Sequence, residues 1–346
     1  MTSSPATLGQ LQLLLTERCN LRCTHCAVPE EDSPADHELS TAEWTAFIST
    51  VLASGVRRIV LSGGEALLRR DCLDIAGHAL HAGAEAVIIV SNGTVLQRST
   101  FQPLADLQRQ WPNLLFHVSI DGASAPAHDL IRGAGTFERT LAGLERLRAA
   151  GGRADGIHTV LHRANIDELD ALVDLVEAWS ARSWTVFPVA SLGRGRDLDR
   201  LRLDEAQWRT VLQFLASDRL TAIEVGLMGP TMGDEWTSLD EVPVTRQSHS
   251  PQACVGPDGA VFACPPLRDH TAGWASDVVN GAPWTPVDQR LRDLIAPACP
   301  TCKFRPLCTG VHPEAPFIRP DAEFRHPGQA RQIPVHVVSN AAGCHQ

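Results

Sequence analysis

Apolar positions in the first two-thirds of the chain fall into two alternating rhythms, short unbroken runs and longer stretches of helical period. Leu11–Leu15 reads as a buried strand. Ser40–Ala53 follows as a helix, with Ser40 or Thr41 at its N-cap and Glu43 early in its first turn. Arg58–Leu61 is the next strand and ends in Ser62-Gly63-Gly64-Glu65. Asp71–Ala82 reads as helix, Ala86–Val90 as strand, Leu96–Gln110 as helix, and Leu115–Ile120 as a strand ending at Asp121-Gly122. Thr136–Ala150 is an amphipathic helix stopped by Gly151-Gly152. Gly156–Leu161, Ile166–Ser180, Trp184–Val189 and Asp204–Ala216 continue as strand, helix, strand, helix. Six strands, each followed by a helix, predict an α/β fold with a parallel sheet. Ligands of such sheets sit at the carboxyl ends of the strands. From near Asp234 the rhythm is lost, and Pro, Gly and Trp take over.

A length of 346 residues predicts one large and one smaller domain. The net charge of −10, from 30 cations against 40 anions, argues against nucleic acid or an anionic membrane as partner, since both select a basic face. No secretory apolar segment follows Met1, and no apolar run is long enough to span a bilayer, so the expected location is the cytoplasm. Ten cysteines in a chain without an export signal point to metal or redox chemistry rather than a disulfide framework. They cluster towards the two ends, with Cys72 standing apart at an apolar helix position typical of core filler.

Thr16–Val28 reads T-E-R-C-N-L-R-C-T-H-C-A-V, placing Cys19, Cys23 and Cys26 in a C-x3-C-x2-C array directly after the first strand. Three thiolates can hold three irons of a [4Fe–4S] cube and leave the fourth iron open for chemistry. A zinc knuckle is the alternative, but zinc takes four ligands and the fourth would be His25, poorly placed between two of the cysteines. Gly63-Gly64-Glu65, Asn92 and Ser119/Asp121 also lie at predicted strand ends, so they converge with the cysteines on one face.

The cysteine array after the first strand, with G-G-E after the second, resembles the radical S-adenosylmethionine (SAM) superfamily. The resemblance runs from about Gln10 to Ala216 and implies that family's partial (β/α)6 barrel. It implies that SAM chelates the open iron through its amino and carboxylate groups. An electron from the reduced cluster then splits the sulfonium, and a 5′-deoxyadenosyl radical takes a hydrogen atom from substrate. Such an enzyme draws its electron from a donor such as flavodoxin or ferredoxin. By the resemblance, Gly63-Gly64 approaches the methionyl ammonium and Glu65 accepts from it. Ser119 and Asp121 reach the ribose, Asn92 lies nearby, and Arg132, in a loop after the fourth strand, pairs with the SAM carboxylate. Plainer readings stand beside these: Gly63-Gly64 and Asn92-Gly93 as turns, Arg132 as a solvated surface arginine. Ala66 stands where the family usually has proline after G-G-E.

In the second region Cys254 and Cys264 flank a hairpin signal, Pro257-Asp258-Gly259. Cys299-x2-Cys302-x5-Cys308, His312 and Cys344 follow. The layout resembles the SPASM auxiliary-cluster domain, so the chain divides into a core over 8–220 and a small irregular cysteine-rich domain over 234–346. That resemblance implies a [4Fe–4S] cluster on Cys299, Cys302, Cys308 and Cys344, and a second near Cys254 and Cys264. His312 stands where the family has a cysteine crossing to that nearer cluster. Imidazole can ligate iron, as in Rieske centres, or His312 is a loop residue. A zinc site on the four distal cysteines is the other reading. The resemblance implies modification of a ribosomally made peptide by crosslinking, oxidation or epimerisation. The alternatives are a small molecule such as an aminosugar or aminocyclitol, or an electron carrier that never cleaves SAM. With a barrel beginning near Gln10, no amino-terminal leader-binding domain is expected.

Overall fold

Strand β1 (Gln10–Leu14) begins a series of β/α units whose strands all run parallel. The computed structural model describes residues 9–26, 38–189, 193–215, 217–227, 253–262 and 273–282. After β1 comes α1 (Thr41–Ala53), then β2 (Arg58–Ser62) and α2 (Cys72–His81), then β3 (Ala86–Ser91) and α3 (Arg98–Gln110). Strand β4 (Leu114–Ser119) is followed by two helices, α4 (Ala125–Arg132) and α5 (Thr136–Ala149). The last two units are β5 (Gly156–Leu161) with α6 (Leu169–Ala178), and β6 (Ser183–Pro188) with α7 (Glu205–Leu215). Two elements correct the sequence reading. A seventh parallel strand, β7 (Glu224–Leu227), pairs with β6; its run, E-V-G-L, is too short and mixed to stand out. Helix α4 was expected to be loop, although Ser124 caps it and Pro126 sits in its first turn, both ordinary start signals.

On the other side of β1 the hairpin forms: β8 (Ala253–Val255) pairs parallel to β1, and β9 (Ala260–Phe262) returns antiparallel. Its turn is closed by Gly256 N–H donating to Ala260 O at 2.8 Å. β10 (Gly273–Trp274) and the short α8 (Ala275–Val279) complete that edge. The sheet order β10-β9-β8-β1-β2-β3-β4-β5-β6-β7 is open. The fold is therefore α/β, a partial (β/α)6 barrel.

Helix α1 starts where its capping box requires: Glu43 N–H donates to Ser40 Oγ at 3.3 Å, and Ser40 N–H donates back to Glu43 Oε2 at 2.8 Å. The alternation along the strands then decides which face is core. Leu11 and Leu13 are fully buried against helices, with Trp44, Phe47, Phe116 and Trp184, each burial worth about 1.5–3 kcal/mol. Gln10 and Gln12 take the opposite face of β1 and stay half-buried. On that inner face Leu14, Cys254, Ala260 and Phe262 form a small apolar cluster of their own. His117 and Ser119 of β4, and His158 of β5, share the period of the inner face.

Candidate cluster and cofactor site

The segment that leaves β1 is pinned across the end of β2. Leu15 N–H donates to Ser62 O at 2.9 Å, Gly64 N–H to Thr16 O at 2.7 Å, and Glu65 N–H to Arg18 O at 2.8 Å. The glycines are what allow this approach. A Cβ on Gly63, whose φ is +138°, would lie 2.3 Å from Thr16 O. One on Gly64 would lie 2.4 Å from the carbonyl oxygens of both Glu17 and Arg18. The closeness that sequence reading reserved for a cofactor is used first on the cysteine loop itself.

Within that loop Cys23 is buried, and Cys19 and Cys26 are partly open. Thr24 N–H donates to Ile131 O at 2.8 Å, so the end of α4 clamps the loop between its second and third cysteines. From the 3₁₀ turn Gly193–Asp197 after β6, Arg194 donates through Nε to Cys23 O at 2.8 Å and through its backbone N–H to Cys26 O at 2.9 Å.

Glu65, 1 % exposed, ties the G-G-E loop to the end of β3. Its Oε2 accepts from Asn92 N–H at 2.8 Å and its Oε1 from Leu67 N–H at 3.2 Å. Burial pushes its carboxyl pKa up, and these hydrogen bonds oppose the rise. Asn92 passes the connection on: its Nδ2 donates to Asn20 Oδ1 at 3.0 Å, beside Cys19, and its Oδ1 accepts from Thr94 N–H at 2.9 Å. Asn20 and Thr94 were not singled out by the sequence, because neither belongs to a spaced pattern.

Asp121 and Arg132, expected to reach ribose and SAM carboxylate separately, are paired with each other. Arg132 is the last residue of α4 rather than a loop residue, is buried, and donates through Nε to Asp121 Oδ2. Asp121 Oδ1 also accepts from Val160 N–H at 2.7 Å, and His25 Nε2 lies 3.8 Å from Oδ2. Burial alone would raise the Asp121 pKa; the Arg132 guanidinium and neighbouring His25 and His128 outweigh it and hold the carboxyl at about 2. Ser119 lies on the inner face in register with His158, whose Nε2 is 3.0 Å from His117 Nδ1.

Residues 13–176 match the radical SAM superfamily. The chain is 30% identical over 283 residues to the PqqA peptide cyclase of Rhizobium meliloti, covering 75% of this chain and 68% of that protein. The chain belongs to the radical SAM superfamily. It is also 29% identical over 338 residues to an AdoMet-dependent heme synthase of Methanosarcina barkeri, covering 91% of this chain and 93% of the other. Among solved structures it shares the fold of Streptococcus suis SuiB bound to precursor peptide SuiA, with a TM-score of 0.68 at 13% identity over 93% of this chain and 75% of that one.

The cofactors of a radical SAM protein are a [4Fe–4S] cluster and SAM, and the cysteine loop fits the cluster. Among the described residues no three His, Cys, Asp or Glu side chains are gathered tightly enough for a single metal ion. His25 is turned towards Asp121 instead of completing a knuckle. A cube, by contrast, takes each sulfur on a different iron. Burial raises the thiol pKa of Cys19 and pushes that of Cys23 up to about 11, the nearby Arg132 charge opposing the second. Loading iron must therefore displace protons from these sulfurs. Cys254 sits in β8, 1 % exposed, with Sγ 3.6 Å from Gln12 Oε1. Cys264, Cys299, Cys302, Cys308, His312 and Cys344 lie outside the described residues. Cys72 packs in the main core, as expected. No helix among the described residues is long and apolar enough to cross a membrane.

Proposed function

We propose that the chain cleaves SAM reductively at a cluster held by Cys19, Cys23 and Cys26 and takes a hydrogen atom from a peptide substrate, leading to a crosslink, oxidation or epimerisation. The observation that carries this reading is the hydrogen-bonded rim joining the cysteine loop, G-G-E and Asn92 at the carboxyl ends of β1, β2 and β3. Bound there, cluster and SAM supply the electron transfer and the carbon radical. The chain's own part is to hold and orient. Gly63, Gly64 and Glu65 set the floor beneath the methionyl end, and Glu65 keeps acceptor capacity beyond the bonds from Asn92, Leu67 and Ser91. Ser119 offers a hydroxyl on the inner face towards the ribose. The Arg132–Asp121 pair keeps a fixed charge near Cys23 without a net charge in the wall. Auxiliary clusters on Cys254, Cys264, Cys299, Cys302, Cys308, Cys344 and His312, over residues 234–346, would take up an electron from the substrate radical, and flavodoxin or ferredoxin would deliver the first one.

Similarity to a peptide cyclase and to a fold solved with a precursor peptide supports the peptide. A second reading, an iron porphyrin as the small-molecule substrate, is favoured by the match to a heme synthase over nearly the full length of both chains.

Iron and sulfide are quantified on anaerobically purified wild type and on a Cys19/Cys23/Cys26 triple alanine variant, followed by incubation with SAM and dithionite. The variant is expected to hold one cluster fewer and to release no 5′-deoxyadenosine. Unchanged iron in the variant removes the reading. Titration with an iron porphyrin, followed at its Soret band, separates the substrates: saturable binding at one equivalent transfers the proposal to the second reading.

A further inference from the structure

The cysteine loop is held from three directions, and sequence patterns announce only one of them. Gly64 and Glu65 hold Thr16 and Arg18, ahead of Cys19. Ile131 holds Thr24. The carbonyls of Cys23 and Cys26 are both held by one residue, Arg194, which lies 171 positions along the chain from Cys23. Cys23 O also accepts from Cys26 N–H at 3.3 Å, so Arg194 braces the turn that sets the separation of these two sulfurs.

We propose that Arg194 is the positioning residue of the cluster, bracing Cys23 and Cys26 and placing a guanidinium charge beside them. This rests on the cluster reading above. Two physical effects follow from the geometry. First, a loop whose ligand carbonyls are tied does not spend conformational entropy when three sulfurs must meet three irons. Secondly, a cube with three thiolates is anionic and becomes more so on reduction. A cation beside two of its ligands favours the reduced form, because net charge and hydrogen bonding set the potential of such clusters. The planar fork of arginine suits this use better than lysine, whose ammonium is a mobile point charge. The turn carrying Arg194 follows β6, so the far side of the barrel mouth is linked mechanically to the cluster loop.

The test uses the full chain, reconstituted anaerobically, as wild type, Arg194→Ala and Arg194→Lys. The cluster in question is identified by the change of its reduced electron paramagnetic resonance signal on adding SAM. Loss of outer partners of metal ligands typically costs 10–100-fold in affinity. Arg194→Ala is therefore expected to lose that signal to an iron chelator about 10–100-fold faster and to show a more negative reduction potential. Arg194→Lys, which keeps the charge and the backbone donor, is expected to recover most of the potential and only part of the retention. Wild-type chelation rates and potential in Arg194→Ala overturn the proposal. If Arg194→Ala does not fold, wild-type behaviour of both properties in Arg194→Gln overturns it equally. The triple cysteine variant separates the two readings. If it keeps all its iron, the cluster assignment fails. If it loses one cluster while the Arg194 variants behave as wild type, only the role of Arg194 fails.

Discussion

Replacing Asp121 by asparagine tests whether the Arg132 pair is part of the framework. The Asp121 side chain is 0 % exposed and that of Arg132 9 %, so neither charge can turn to water when the other is removed. Asparagine matches aspartate in shape, and its Oδ1 can still accept from Val160 N–H, so the packing loss is small. What changes is that a buried guanidinium loses its counter-ion. Breaking a buried pair from one side costs about 3–5 kcal/mol. That is a large part of the roughly 5–15 kcal/mol that stabilises a typical domain. Removing the guanidinium as well, in Asp121→Asn/Arg132→Met, takes away the orphaned charge and is expected to restore most of the loss. The assay is urea unfolding followed by tryptophan fluorescence, with the four proteins closing a double-mutant cycle. If Arg132 served only to pair with the SAM carboxylate, Asp121→Asn would unfold within about 0.5 kcal/mol of wild type, a typical bound for changes without a structural mechanism. That result, or a double variant no more stable than the sum of the singles, would refute the reasoning.

Two further outcomes follow from the same rim and its neighbours. Gly64→Ala puts a methyl group 2.4 Å from two backbone oxygens that cannot rotate away. Overpacking at about 1–3 kcal/mol, with strain on the Gly64–Thr16 and Glu65–Arg18 bonds, should lower both the urea midpoint and the iron content; wild-type values of both would remove the close-approach argument. Acid should destabilise the fold through its buried histidines. Burial lowers the pKa of His117 and of His128 from 6.5 to about 4, so the unfolded chain binds these protons and the folded chain does not. Stability should therefore fall as pH drops below about 6.5 and level off near 4, by on the order of 1–2 kcal/mol per histidine at pH 5. The contribution of Asp121, whose folded pKa is about 2, is intact above its unfolded value and fades only below pH 4. A stability profile flat between pH 7 and 5, or His117→Gln and His128→Gln variants with the same acid slope as wild type, would contradict this.

The parallel repeat was legible because it is written in period: a buried strand needs its apolar run, and a covering helix its stripe. Helix α1 was legible down to its cap because Ser40 and Glu43 sit at the spacing a capping box uses. Helix α4 escaped because its own sequence, A-P-A-H-D-L-I-R, has no long apolar stripe and is held by Asp121, Glu168 and the cysteine loop. The meeting of the cysteine loop with G-G-E could be read because both follow neighbouring parallel strands. Arg194 could not, since a hydrogen bond to a carbonyl 171 residues away leaves no local trace. Asp121 and Arg132 pair with each other, which their sequence positions do not announce. A sequence names charged residues without showing that two of them neutralise each other.

Pairing these groups has a consequence for where substrate identity is written. Glu65 and Asp121, two buried acidic residues beside the cysteine loop, are engaged by Asn92, Leu67, Val160 and Arg132. They fix the positions of backbone groups and offer little free charge to discriminate one substrate from another. Deeper on the inner face, His117 and His158 lie 3.0 Å apart, and burial lowers the pKa of both, so they are neutral at physiological pH. One ring must then donate and the other accept, leaving hydrogen-bonding positions in place of a fixed charge. His158 also lies 5.4 Å, ring to ring, from Phe187. A substrate bound on this face, as proposed, would meet imidazole and aromatic surface, which select by shape and hydrogen bonding. Rejection of a near-isostere lacking one hydrogen-bonding group would be the stronger discrimination available to such a floor, because it would leave the second nitrogen of a ring without a partner.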